Sequence, residues 1–306
     1  MCKRFNLILF IAFLISFINS SKLNTNCGIR IHRKTWTKVS MGLIGITQQF
    51  NPKNEPWYVV LKIRHNANYS QKCGGVFISN QTILTTAKCL PDNPFSNDFQ
   101  TIMQFKHAGF SKNSQFKTLP TKSKIKHHMY ERCDHTSCRD NIGLIHLENP
   151  VKGIVPICLP SPTLHQEKKA RIIGFDNLDE KDGLTKGQVK LVSRDVCKKA
   201  YPARYDKQSF YYSSKNHAIV CYKGDAGMCY QDQGGPVISR FSKVVPRHGL
   251  YGIMSFPHAD CRSGKPSMFL NIRRYGKSFS FLKSRKFLSK NKWISPIIKP
   301  LPISTG

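Results

Sequence analysis

Acidic residues are scarce. The 306-residue chain has 17 Asp and Glu against 48 Lys and Arg, a formal net charge of +31. A field of that sign repels cationic partners and favours sulfated glycans, nucleic acid, anionic lipid or an acidic protein face, without choosing among them. Long apolar runs are also missing after Ile18. No later stretch reaches the roughly 20 apolar residues that a membrane-spanning helix requires. No segment repeats another, so the chain does not read as a solenoid or propeller array.

What is present begins with Lys3 and Arg4, an apolar run from Phe5 to Ile18, and the small residues Ser20 and Ser21. That order predicts a secretory signal segment over residues 1–20, cut after Ser20, and hence a secreted, extracellular protein. Cysteine usage agrees. Eleven are present, Cys2 leaves with the signal, and the even remainder in an exported chain implies a disulfide framework. Spacing does not give its connectivity. Cys133 and Cys138 are close enough for a local bridge; a metal set with His135 and a distant fourth ligand is the alternative. Asn68-Tyr69-Ser70 and Asn80-Gln81-Thr82 have the glycosylation acceptor pattern, with an unmodified turn as the plainer reading. No cofactor is expected.

Trp57-Tyr58-Val59-Val60-Leu61-Lys62-Ile63 and Gly75-Val76-Phe77-Ile78 are β-rich runs separated by polar turn residues. Short strands at this spacing, continuing to Ile272, predict an all-β sandwich or barrel rather than βαβ units. Residues 176–183 form the one acidic patch and read as an exposed loop. Residues 283–306 are basic, then proline-rich, and are expected outside the core.

Five ordered stretches carry a resemblance. They are Cys73-Gly74-Gly75 followed by Thr85-Thr86-Ala87-Lys88-Cys89; Asp140-Asn141-Ile142-Gly143-Leu144; Val155-Pro156-Ile157-Cys158-Leu159-Pro160; Cys229-Tyr230-Gln231-Asp232-Gln233-Gly234-Gly235-Pro236; and Tyr251-Gly252-Ile253-Met254-Ser255-Phe256 with Gly264-Lys265-Pro266-Ser267 beyond it. In this order they resemble the trypsin/chymotrypsin-like serine proteases over residues 43–282. The resemblance implies two six-stranded Greek-key β-barrels packed together, with a C-terminal helix starting near Tyr275. Residues 21–42 would be a leader holding Cys27. The pairs implied are Cys27–Cys158, Cys73–Cys89, Cys197–Cys221 and Cys229–Cys261, with Cys133–Cys138 as an extra. Ala170 and Ser239 stand where a further family pair is missing at both ends.

The same resemblance shows where the chain departs. In the family's triad a serine attacks, a histidine takes its proton and an aspartate orients the histidine. The counterparts here are Gln233, Lys88 and Asn141. A carboxamide has no ionisable hydroxyl with which to form an acyl-enzyme, and an ordinary lysine is protonated at neutral pH. Gln231 replaces a glycine of the oxyanion hole. Gly227 stands at the base of the specificity pocket, Ser267 on its wall, and Phe256-Pro257 on the edge that would pair with substrate backbone. Leu43-Ile44-Gly45-Ile46 is the counterpart of the terminus freed by activation, but Gly42 precedes it and Lys38 is the nearest upstream basic residue. Asp232, which would pair with that terminus, is retained.

Three readings follow. The first is a catalytically inactive homologue that acts by binding an extracellular protein, as regulator, cofactor or decoy in a proteolytic cascade such as innate immunity. The second is a polyanion-binding protein, motivated by Lys122, Lys124, Lys126, His127, His128 and the basic tail from Lys283 to Lys292. The third is an active endopeptidase with a rearranged site using Ser255 or Cys229. Nucleic acid is not the expected partner.

Overall fold

Strand β4 (Tyr58–Arg64) shows how the chain builds two layers at once. Tyr58 and Val60 pack into one apolar cluster, while Val59 and Leu61 pack into another. Successive side chains of a strand point to opposite faces, so a run apolar at every position is a strand covered on both sides. The computed structural model describes residues 27–30, 36–37, 44–45, 48–50, 54–64, 70–90, 102–107, 117–118, 124–130, 139–160, 168–175, 184–202, 219–224, 226–229, 232–240, 247–256 and 264–275.

The first sheet has seven strands: β4, β5 (Ser70–Phe77), β6 (Thr82–Thr85), β7 (Ile102–His107), β8 (Lys117–Thr118), β9 (Lys124–Tyr130) and β10 (Arg139–His146). Their order is β8-β7-β4-β5-β6-β10-β9. The second contains β11 (Lys169–Phe175), β12 (Leu184–Val192), β13 (Ile219–Gly224), β15 (Pro236–Arg240), β16 (His248–Phe256) and β17 (Ser267–Asn271). These six run β12-β11-β15-β16-β17-β13, and β13 returns to pair with β12, closing a barrel. Closure leaves no unpaired strand edge.

Two further strands extend this barrel's sheet at β12. They are β1 (Trp36–Thr37) and β3 (Gln48–Phe50). A separate two-stranded pairing joins β2 (Ile44–Gly45) to β14 (Ala226–Gly227). The described residues account in full for one of the two six-stranded barrels expected. One six-stranded barrel closes, and the other layer is a seven-stranded sheet whose end strands β8 and β9 do not pair among the described residues. The chain ends its described part in a short 3-10 turn, Ile272–Tyr275. The predicted closing helix, the signal segment and the tail lie outside the described residues, and no helix within them is long and apolar enough to cross a membrane.

One cluster joins the layers. Trp57, Tyr58, Val76 and Leu84 from the first sheet meet Ile173, Ile238, Leu250, Ile253 and Leu270 from the barrel. Full burial of each such side chain is worth about 1.5–3 kcal/mol. The barrel's own interior is filled by Ile172, Val189, Tyr222, Val237, Tyr251, Met254 and Phe269. The β11–β15 register, Arg171 opposite Ile238, carried one residue on, sets Ala170 opposite Ser239.

Candidate functional site

The segments carrying Lys88, Asn141 and Gln233 converge on Ser255. Lys88 sits in a single 3-10 turn, Ala87–Cys89, that follows β6. The Cys89 and Leu90 amides close that turn on Thr86 and Ala87, and the Cys73–Cys89 disulfide pins it to β5. Asn141 is fully buried on β10, where pairing with β9 is irregular between Arg139 and Ile142. Ser255 is also fully buried, at a second irregularity between Met254 and Phe256. Such bulges re-aim side chains at the mouths of sheets.

Gln233 is fixed by its loop. The Asp232 amide donates to the Cys229 carbonyl at 2.9 Å, and the Cys229 amide returns a bond to Asp232 Oδ2 at 2.9 Å. Gly235 N donates to the Asp232 carbonyl at 2.8 Å. Gly234 has φ +79°, a left-handed conformation that glycine adopts without strain, and a Cβ there would strike the Gly74 carbonyl and Thr85 Oγ1. The loop also leans on β5. Gly74 N donates to the Gln233 carbonyl at 2.6 Å, and a Cβ on Gly74 would lie 2.7 Å from Gly235 Cα.

The chemistry of this cluster is amide chemistry. The Lys88 backbone amide donates to Asn141 Oδ1 at 3.0 Å, and Asn141 Nδ2 donates to Ser255 Oγ at 2.8 Å. Gln233 Nε2 reaches the Ser255 carbonyl at 3.5 Å. The half-buried Lys88 holds its ammonium 4.8 Å from the centre of the Phe256 ring, a cation–π contact of about 0.5–1 kcal/mol. Cys229 is disulfide-bonded. Two described histidines with placed side chains are engaged elsewhere, His146 with Thr82 Oγ1 and His248 with the Gly28 carbonyl. Burial, and then the Asp232 carboxylate, push the Tyr58 phenol well above its ordinary range.

Gly227 pairs with Ile44 across β14 and β2, Ser267 starts β17 opposite Tyr222, and Phe256 packs with Cys197, Cys221 and Met268. Asn80 is exposed at the turn before β6. Gln231, Asn68, Pro257, Cys133, Cys138 and Cys261 lie outside the described residues. Disulfides join Cys27 to Cys158 and Cys197 to Cys221. No group of three His, Cys, Asp or Glu among the described residues is arranged to hold a metal.

Sequence reasoning missed a buried ionic cluster where the segment around Arg30 meets the barrel. Arg30 pairs with Glu55, Arg171 Nη1 lies 4.0 Å from the same oxygen, and Lys186 is buried beside them. Burial raises the Glu55 carboxyl, while Arg30, Arg171 and Lys186 draw it down. Burial, with Arg171 adding to it, lowers Lys186 to about 8. Arg171 is lowered to about 10 by burial, against the pull of Glu55. His248 is lowered to about 3 by burial and by Arg30 and Arg171. The only sequence signal was an acidic residue in a chain that has few, Glu55 before Pro56-Trp57.

Comparison with known proteins bears on this arrangement. A family model described as Trypsin matches residues 44–278. Among curated proteins, "Serine protease filzig" of Drosophila melanogaster is 26% identical over 247 residues, covering 76% of this chain and 14% of that protein. The chain thus corresponds to a small part of that relative's length.

Proposed function

Because the chain belongs to the trypsin family of serine proteases, we propose that it is a secreted, non-catalytic member that acts by binding an extracellular protein, as regulator, cofactor or decoy in a proteolytic cascade such as innate immunity. On this reading residues 43–282 form the protease-like domain, and the first sheet is the counterpart of a second six-stranded barrel. The observation that carries the proposal is the saturated amide at position 141. Asn141 is held between the Lys88 backbone and Ser255 Oγ, with Gln233 bonded to the same serine's backbone. Acyl transfer needs a nucleophile within reach of a base and a third group that orients that base. These contacts supply an ammonium and two carboxamides instead. Ser255 is fully buried against Asn141, and Cys229 has its sulfur in a disulfide.

The test is covalent labelling of the purified secreted chain with a fluorophosphonate, alongside cleavage of a diverse peptide library. No label and no cleavage are expected, while addition of the chain to a reconstituted extracellular protease cascade changes that cascade's rate. Stoichiometric labelling, or cleavage abolished by Ser255→Ala, would overturn the proposal.

A further inference from the structure

The outer face of the closed barrel carries a row of like charges. The β11–β12 register sets Lys169 opposite Lys190, and the β12–β13 register sets Lys190 opposite Lys223. Residues directly paired across antiparallel strands share a face. All three lysines are exposed, while their chain neighbours Ala170, Val189 and Tyr222 are buried. Arg240 is also exposed, at the end of the neighbouring strand β15. With neighbouring strands about 4.8 Å apart, the three lysines form a line roughly 10 Å long across the sheet.

Such a row is costly in isolation, because like charges directly opposite one another destabilise a sheet. Among the described residues no carboxylate forms an ion pair with Lys169, Lys190 or Lys223. We infer that the row is a binding site for a sulfated glycan chain. A linear polyanion laid across the strands meets each cation in turn and removes the repulsion among them. Lysine suits the task, being a compact point charge that takes freely oriented sulfates without the planar match a guanidinium demands. Nucleic acid fits less well. Single strands bind on exposed aromatic platforms, whereas the aromatic beside the row, Tyr222, is turned inward against the Phe269 ring. The disulfides also belong to an oxidising compartment. The inference is independent of whether the cleft is catalytic.

The test measures binding of a defined heparin oligosaccharide to the full secreted chain at about 0.15 M ionic strength, where exposed charges more than about 8 Å apart are screened. Three chains are compared: wild type, Lys169→Gln/Lys190→Gln/Lys223→Gln, and a control that removes equal charge from the first sheet and its flank, Lys62→Gln/Lys72→Gln/Lys152→Gln. The row variant is expected to bind about tenfold more weakly, a fair loss for three exposed contacts, and the control within about twofold of wild type. A Lys→Arg triple at the row restores binding, and the oligosaccharide raises the Tm of wild type but not of the row variant. Equal losses in row variant and control, or no binding by wild type at this salt, would overturn the inference. So would retention of a short DNA duplex that is as tight as that of heparin and as sensitive to the row substitutions.

Discussion

The amide of Asn141 has both ends occupied, one by the Lys88 backbone and the other by Ser255 Oγ, inside a fully buried site. Replacing it with leucine keeps the branch at Cγ but strands the Lys88 N–H, at a cost of about 1–3 kcal/mol. Ser255→Ala strands the Asn141 donor at a similar cost. Because the two residues share one hydrogen bond, the double variant should lose less than the sum, which a urea-unfolding double-mutant cycle measures directly. His248 gives a prediction in pH. Its folded value of about 3 lies below its ordinary 6.5, so the unfolded chain takes up the proton first as the medium is acidified. Stability is therefore unaffected by this group above about pH 6.5 and falls between 6.5 and 3, by at most about 1.4 kcal/mol per pH unit for one proton. Glu55 works in the opposite sense above its ordinary 4.5, because its raised carboxyl lets the folded state hold the extra proton. A His248→Gln variant should show a flatter acid limb in Tm against pH than wild type.

At the scale of elements, Gly234 is the tightest constraint. Alanine there would have to hold φ +79° and push into the Gly74 carbonyl and Thr85 Oγ1, so Gly234→Ala should cost about 2 kcal/mol or more, read as a drop in the denaturation midpoint. Strands with apolar residues on both faces were legible in the sequence. The run from Trp57 to Ile63 predicts β4 to within a residue at each end. Strand β5 was legible only in its apolar half, since it begins at Ser70 and its first residues, Ser70, Gln71 and Lys72, are polar. The strand order of the first sheet was not legible, because it depends on pairings between strands far apart in the chain. The ionic cluster around Glu55 was hidden for the same reason. Arg30, Arg171 and Lys186 come from three separate segments, with no periodicity to join them. The lysine row has no sequence signature either, since it exists only once the register of three strands is known.

At the scale of the whole molecule, the chain before Ile44 is tied to the rest at several points: the Cys27–Cys158 disulfide, the Arg30–Glu55 pair, and β1 laid against β3. A protease cut anywhere between Arg30 and Ile44 should leave both pieces in one band on a non-reducing gel and release the N-terminal piece only on reduction. Removing the bridge with Cys27→Ser/Cys158→Ser should cost about 2–5 kcal/mol in urea unfolding. The tightest join between the two layers, however, is covalently the simplest. A Cβ on Gly74 would lie 2.7 Å from the backbone of Gly235, far away in the chain, while a Cβ on Gly235 would crowd the Asp232 and Ile173 carbonyls. Neither residue has a side chain to trim, so a change at one has no compensating change at the other. A saturation scan of the chain should therefore find both positions intolerant, and the glycines around Gln233 would stay fixed by sterics whatever chemistry the cleft keeps or gives up.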